Sequence, residues 1–269
     1  MINVLLFKLF IILVLAAPGQ AQYGPGGYWN GAGYPGGPQG SGFRGGPAFD
    51  VDEATRVRAI HGVLGAIAMV ALFPGGSILI RLLPGKFALW CHAIAQMIAL
   101  AVFAAAVGMG IKLVEIVKIP VRDGGNGEVV RDGSILANPN INYHPIIGLI
   151  VFACLVVQPI LGIIHHLKFK KLRRRQAWSY LHLFNGRIFI SLGIANGGFG
   201  LWLARASAAV KLAYIATAAT VWTLWMLFAL RGEMKRAKEK RGRSREGSEM
   251  EMGSRGLFGR KRFSGNSAF

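Results

Sequence analysis

The sequence predicts an all-α membrane protein of five transmembrane helices, with the first four forming a bundle. Three observations predict it. The 269-residue chain is 53% apolar with a mean hydropathy of +0.43, more apolar than a soluble domain of that length. Five apolar runs are each long enough to cross a bilayer, which takes about 20 residues as a helix: Ile60–Ile80, Leu89–Ile111, Pro145–Ile164, Leu183–Leu203 and Val210–Leu230. Basic residues crowd into particular segments between and after these runs. Backbone groups in lipid must bond within their own segment, so runs of this length are helices rather than strands.

In chain order, residues 1–21 read as a signal peptide. Lys8 precedes an apolar run from Leu9 to Ala17, and Gly19 and Ala21 supply the small residues that suit cleavage after Ala21. The alternative is an uncleaved sixth span. Residues 22–56 read as an extracytoplasmic linker. Up to Gly46 it is rich in Gly, Pro and Tyr and holds too little apolar surface to fold alone. Asp50 or Asp52 offers a helix cap, with acidic residues in the first turn.

The transmembrane domain is expected over residues 57–231. Pro74 with Gly75 and Gly76 is expected to kink or loosen the first span. Arg81–Phe87 reads as a tight connection. Lys112–Tyr143 is a hydrophilic loop with Gly-rich turn signals and balanced charge. The third connection, His166–Tyr180, carries Lys168, Lys170, Lys171, Arg173, Arg174 and Arg175 and no acid. Residues 232–269 are strongly basic and read as a disordered tail. Cys91 and Cys154 both fall inside spans, which gives small buried thiols rather than a disulfide framework.

Basic residues mark short cytoplasmic loops. The N-terminus is therefore expected outside the cytosol, with Arg81–Phe87, His166–Tyr180 and the C-terminal tail inside. The net charge of +19 is on this reading a topology signal, not a nucleic-acid-binding surface. The tail is also suited to lean on anionic lipid. Plasma membrane and endomembrane are equally compatible with this topology, as is a homodimer.

Orientation sorts the histidines by depth. His61 and His144 stand at the outer starts of spans one and three. His92 and His182 stand at the inner starts of spans two and four. His144 and His165 lie at opposite ends of one span, about 31 Å apart at helical rise, and cannot share a ligand. The expected pairs are thus His61/His144 and His92/His182. Glycine follows four residues after three of them, at Gly65, Gly148 and Gly186, and this offset leaves room beside an imidazole for a flat macrocycle. Four intramembrane histidines in two facing pairs are costly without a function. Two imidazoles suffice for the axial positions of a haem iron, whereas zinc takes three or four protein ligands. The expectation is a four-helix bundle holding two b haems, with His61, His144, His92 and His182 as axial iron ligands. His165 and His166 are expected to be exposed at the inner interface. Gln96, Gln158 and Asn196 read as hydrogen bonders between helices. Arg187, one and a half turns beyond His182, needs a partner at that depth, either a haem propionate or the interface by snorkelling.

The stretches IHGVLGAIAMVALFPGGSILIR, WCHAIAQMIAL, YHPIIGLIVFACLVVQPILG and LHLFNGRIFISLGIANGGFGL resemble the cytochrome b561 family. The likeness is nearest to its five-span form found in DOMON-linked and fungal proteins, and it covers about half the chain. The resemblance implies two b haems on opposite sides of a membrane and transmembrane electron transfer. Its ligand pattern falls on His61 with His144 and on His92 with His182. The family commonly has counterparts of Arg81, Gln158, Arg187 and Asn196. From their own position, Arg81 and Lys86 read as cations for haem propionates or an anionic reductant, or equally as topology signals. The chain departs from the family in having no DOMON-type sandwich before the spans and no clear ascorbate-contact motif.

The expected function is electron transfer from a cytosolic reductant, ascorbate-like by resemblance, to an extracytoplasmic acceptor such as ferric chelate or monodehydroascorbate. No side chain is assigned a bond-making role. Two other readings stay open: a metal-ion or proton transporter using the histidines, and a membrane scaffold acting through its basic tail.

Overall fold

The computed structural model describes residues 50–122, 129–172 and 176–263. The expected signal peptide, residues 1–21, and residues 22–49 of the expected linker lie outside the described residues. The described chain is predominantly helical, with one small β-hairpin.

Asp50 opens the first helix. Its carboxylate accepts from the backbone N–H of Asp52 (2.9 Å) and of Glu53 (3.0 Å), covering two donors that a helix start otherwise leaves unpaired. Helix α1 (Val51–Ala66) therefore begins ahead of the expected boundary at residue 57. A π-helical stretch, Ile67–Leu72, follows, and α2 (Phe73–Leu82) completes a continuous span. Pro74 accounts for the π stretch. It has no N–H for the Val70 carbonyl, and the ladder adjusts in the preceding turn, where Phe73 N–H bonds back to Ala68 O. Of the expected kink or loosening, the loosening is present as a π-helical stretch within an unbroken helical segment.

Arg81, expected in a loop, lies in the last turn of α2. The connection is only Leu83 and Pro84, and α3 (Gly85–Ile116) starts at a glycine with φ of +62°, a backbone state that suits Gly. After α3 come β1 (Lys118–Arg122) and β2 (Val129–Ser134), paired antiparallel. The loop expected over Lys112–Tyr143 thus contains a hairpin. Helix α4 (Tyr143–Val156) and α5 (Gln158–Leu172) form one 30-residue span interrupted at Val157. The break precedes Pro159, whose ring and missing donor disrupt the bond to Leu155. Helix α6 is Ala177–Leu203 and α7 is Ala208–Phe263.

The first span packs along α3, and α4 and α5 pack along α6; α3 with α4 and α1 with α6 join the two halves. The core is centred on the π stretch. Ala68, Met69, Val70, Ala71 and Phe73 are buried there, with Ala99, Phe103 and Ala106 of α3, Val151 and Leu155 of α4, and Ile190 and Ile194 of α6. Phe103 meets Phe73 edge-on at 6.3 Å and Phe152 at 5.8 Å. Gly193 allows a close approach within this core: a Cβ there would lie 2.6 Å from Met69 Sδ. Tyr214 donates to Ile194 O (2.7 Å) and Trp222 to Ser191 Oγ (2.9 Å), which holds the first part of α7 on α6.

Among the described residues, four helical segments are long and apolar enough to cross a membrane: Val51–Leu82, Gly85–Ile116, Tyr143–Leu172 and Ala208–Arg245. Only 17% of the most apolar window of Gly85–Ile116 is buried inside the fold, so the rest of that apolar surface needs an apolar surrounding. Trp90 (67% exposed) and Trp202 (62%) stand outward on α3 and α6, as interfacial aromatics do. The molecule is in these respects consistent with an all-α, multi-pass membrane protein. Helix α6 has the length to span, but Asn185, Arg187, Asn196 and its glycines dilute its hydropathy. It is not among the four, and the count of five belongs to the functional proposal below.

The chain divides between Thr223 and Leu224 into two compact units. Within the second, the helix continues to Phe263, where disorder was expected. Ala, Met, Glu, Lys and Arg are strong helix formers. Lys235 with Glu239 and Glu239 with Arg243 are at the four-residue spacing that supports an exposed helix. Low apolar content argued against a packed domain there, but it does not exclude a helix.

Candidate functional site

The histidines predicted from depth lie on four different helical segments, and the structure brings them together two by two. His61 of α1 and His144 of α4 have ring centroids 5.8 Å apart with planes at 84°. His92 of α3 and His182 of α6 are 6.5 Å apart at 88°. The pairs occupy different levels of the bundle. His61 faces Ala106 of α3, fourteen residues on from His92 in the same helix. His144 faces Asn196 of α6, fourteen residues on from His182. At helical rise each of these separations is about 21 Å. Met69, Phe73, Phe103 and Val151 belong to the buried core along these same helices.

Three of the four rings are oriented by a backbone carbonyl on a neighbouring helix. His61 Nδ1–H donates to Ala106 O (2.7 Å), His92 Nδ1–H to Gly76 O (2.9 Å) and His144 Nδ1–H to Asn196 O (3.0 Å). A carbonyl can only accept, so in each neutral ring the proton sits on Nδ1 and Nε2 carries the lone pair. This is the arrangement of a metal-ligating imidazole, with the second nitrogen tied down to fix tautomer and orientation. His182 is different. Its Nδ1 is buried and has no hydrogen-bond partner among the described residues.

Glycines from neighbouring helices let the rings approach. A Cβ on Gly110 would lie 2.9 Å from His61 Cε1, one on Gly200 2.7 Å from His144 Cε1, and one on Gly162 3.3 Å from His182 Cε1. None of these was identified from the sequence, because the contact is between helices and leaves no local pattern. The glycines that the sequence did single out behave differently. Gly65, like Gly62, faces open space beside the His61 turn. Gly148 and Gly186 accommodate the amides of Asn196 and Gln158.

The three amides bond between helices, as expected. Gln96 Nε2 donates to Phe73 O (2.9 Å), Gln158 Nε2 to the backbone carbonyl of His182 (3.1 Å) and Asn196 Nδ2 to that of His144 (3.1 Å). Arg81 donates Nη1 to Ser77 O, one turn back in its own helix, at 2.5 Å. Arg187 is half-buried in α6. His166 is exposed, but His165 is not. Its ring stacks on His182 at 6.1 Å with planes 12° apart, and its Nδ1 shares a hydrogen bond of 2.6 Å with the Ser179 hydroxyl.

The residues present fit haem iron. A metal between two imidazoles, at about 2 Å per metal–nitrogen bond, places ring centroids roughly 6 Å apart, close to both pairs. The same spacing also suits an edge-to-face ring contact, but that would not require an Nδ1–carbonyl bond on three rings. Among the described residues no group of three or more His, Cys, Asp or Glu side chains is placed to hold a metal ion. Each pair therefore offers two protein ligands, which suits an iron whose other positions are filled by a macrocycle. No known protein family, characterised protein or solved structure matches this chain, so the functional reading rests on the geometry of its own side chains.

Proposed function

We propose that the protein carries electrons across a membrane through two bis-histidine b haems. His61 and His144 would hold the iron of the outer haem, and His92 and His182 that of the inner one. The observation that carries this reading is the pair of facing imidazole couples at two levels of one bundle, three of whose four rings are held by Nδ1–H bonds to backbone carbonyls.

When bound, haem would supply a reversible one-electron couple at each site. The chain's own residues do the rest. The backbone carbonyls of Ala106, Gly76 and Asn196 hold the rings and make them better donors. The packed core at Met69, Phe73 and Phe103 excludes water between the two levels. Arg187 and Arg81 are assigned to the propionates or to an anionic reductant at the inner face. On this reading α6 is a fifth membrane helix, its polar residues turned to use at the site. The N-terminus is extracytoplasmic and the tail cytosolic, as the basic connection after α5 favours. Such a chain resembles the five-span cytochrome b561 type and acts as a transmembrane oxidoreductase between small-molecule donors and acceptors.

The test is the visible spectrum of the detergent-purified protein before and after reduction, with a haem assay. Sharp low-spin b-type bands at about two haems per chain are expected. A colourless protein from haem-replete cells overturns the proposal and favours a metal or proton path through the same histidines.

A further inference from the structure

We infer that His165 is a positioning residue for the His92/His182 site, replacing by stacking the carbonyl bond that orients the other three histidines. The inference rests on the haem reading above and extends it to a residue outside the four ligands.

Three observations meet here. First, His182 alone of the four has a buried Nδ1 without a hydrogen-bond partner among the described residues. Its ring can therefore turn about the Cβ–Cγ bond without losing a bond, which the rings of His61, His92 and His144 cannot do. Second, among the described residues the ring that lies parallel to it is His165, with centroids 6.1 Å apart and planes at 12°. That neighbour stands on one side of His182 and limits how far its ring can turn in that direction. Third, His165 is itself held. Its Nδ1 is bonded to Ser179 Oγ at 2.6 Å, and Ser179 is buried at 6% exposure and fixed by accepting from Gln176 N–H (3.3 Å) in the first turn of α6. The hold runs from the α6 N-terminus, through Ser179 and His165, to His182. It starts and ends on α6, with His165 reaching across from α5.

The consequence is an asymmetry between the sites. An Nδ1–H bonded to a carbonyl makes an imidazole a stronger donor to metal. His182 lacks that bond, so its electron donation is weaker and its orientation depends on a removable side chain. Partners that orient a ligating histidine typically contribute about 10–100-fold to metal affinity.

The experiment compares His165→Ala and His165→Phe in the full chain. Phe keeps a flat ring and loses the Ser179 bond and all imidazole chemistry. Haem stoichiometry, low-temperature EPR of each low-spin centre and redox titration are read for both variants. The expected result for His165→Ala is an altered EPR signal and midpoint at one centre only, with haem at that centre lost about 10-fold more readily. His165→Phe, which keeps a flat ring but not the Ser179 bond, is expected to restore part of the wild-type signature. An unchanged His165→Ala spectrum, equal change at both centres, or no difference between Ala and Phe overturns the inference while leaving the haem reading intact. Wild-type protein without haem removes both together.

Discussion

Each histidine of the site depends on one or two long-range contacts. Their positions could be read from the sequence, because depth follows from span order and basic flanks. Their orientation could not. Ala106 lies 45 residues from His61, and Asn196 lies 52 from His144; nothing in the local pattern announces a carbonyl acceptor at that distance. Gly110, Gly162 and Gly200 were missed for the same reason, whereas Gly65 stood out by its offset and faces open space. The mutation that tests the pairing is His144→Ala. It removes one ring of the His61/His144 couple and leaves His92 and His182 untouched, about 21 Å away along the bundle. The expected outcome is loss of one low-spin haem signal of two, with added imidazole restoring it. Equal loss of both signals in a protein that still folds would falsify the pairing.

At the scale of the elements, the π stretch Ile67–Leu72 sets the register of everything after it in the first span. The sequence pointed to Pro74 as a disturbance but not to its form, because a kink and a pitch change follow from the same missing N–H. The form matters. Gly76 O accepts from His92 Nδ1 at 2.9 Å, and a Cβ on Gly76 would meet Gln96 Nε2 at 2.7 Å, so α2 and α3 are in close contact at this point. Pro74→Ala restores an N–H that can bond to Val70 O and favours a regular α-helix. Converting the π turn would rotate the following residues by about one helical position, or 100°. Gly76 O would then leave His92. The expected outcome is weakened haem binding at the His92/His182 site, with the His61/His144 site, ahead of the π stretch, retained. Haem content by redox titration checks it. Two intact sites would show that the π stretch is set by the surrounding packing rather than by Pro74.

Across the whole chain, basic charge is concentrated in particular segments. Lys168, Lys170 and Lys171 lie at the end of α5, Arg173, Arg174 and Arg175 continue the run, and no acid interrupts it. This segment follows directly on the turn that carries His165, and it reaches the start of α6 just before His182. On the proposed function, an anionic reductant approaching the His92/His182 end would meet this charge first. Exposed charges separated by more than about 10 Å are screened at 0.1 M salt, and steering of this kind speeds encounter by roughly 10-fold or more at low salt. The helical, multi-pass character of the fold was legible in the sequence because hydropathy acts over whole segments. The helical tail was not, because helix propensity without an apolar face does not distinguish an exposed helix from a disordered segment. The prediction that belongs to this scale is kinetic. Reduction of the protein in liposomes by an anionic donor such as ascorbate should be fastest at low ionic strength and fall steeply with added salt. A neutral donor should show no such slope. Replacing Lys168, Lys170 and Lys171 together with Gln should flatten the ascorbate slope while leaving the equilibrium haem spectrum unchanged. Charge at the mouth of a site changes the rate of encounter rather than the ligand field within it. If the triple variant keeps the full salt dependence, the basic connection serves membrane orientation alone, and the donor enters elsewhere.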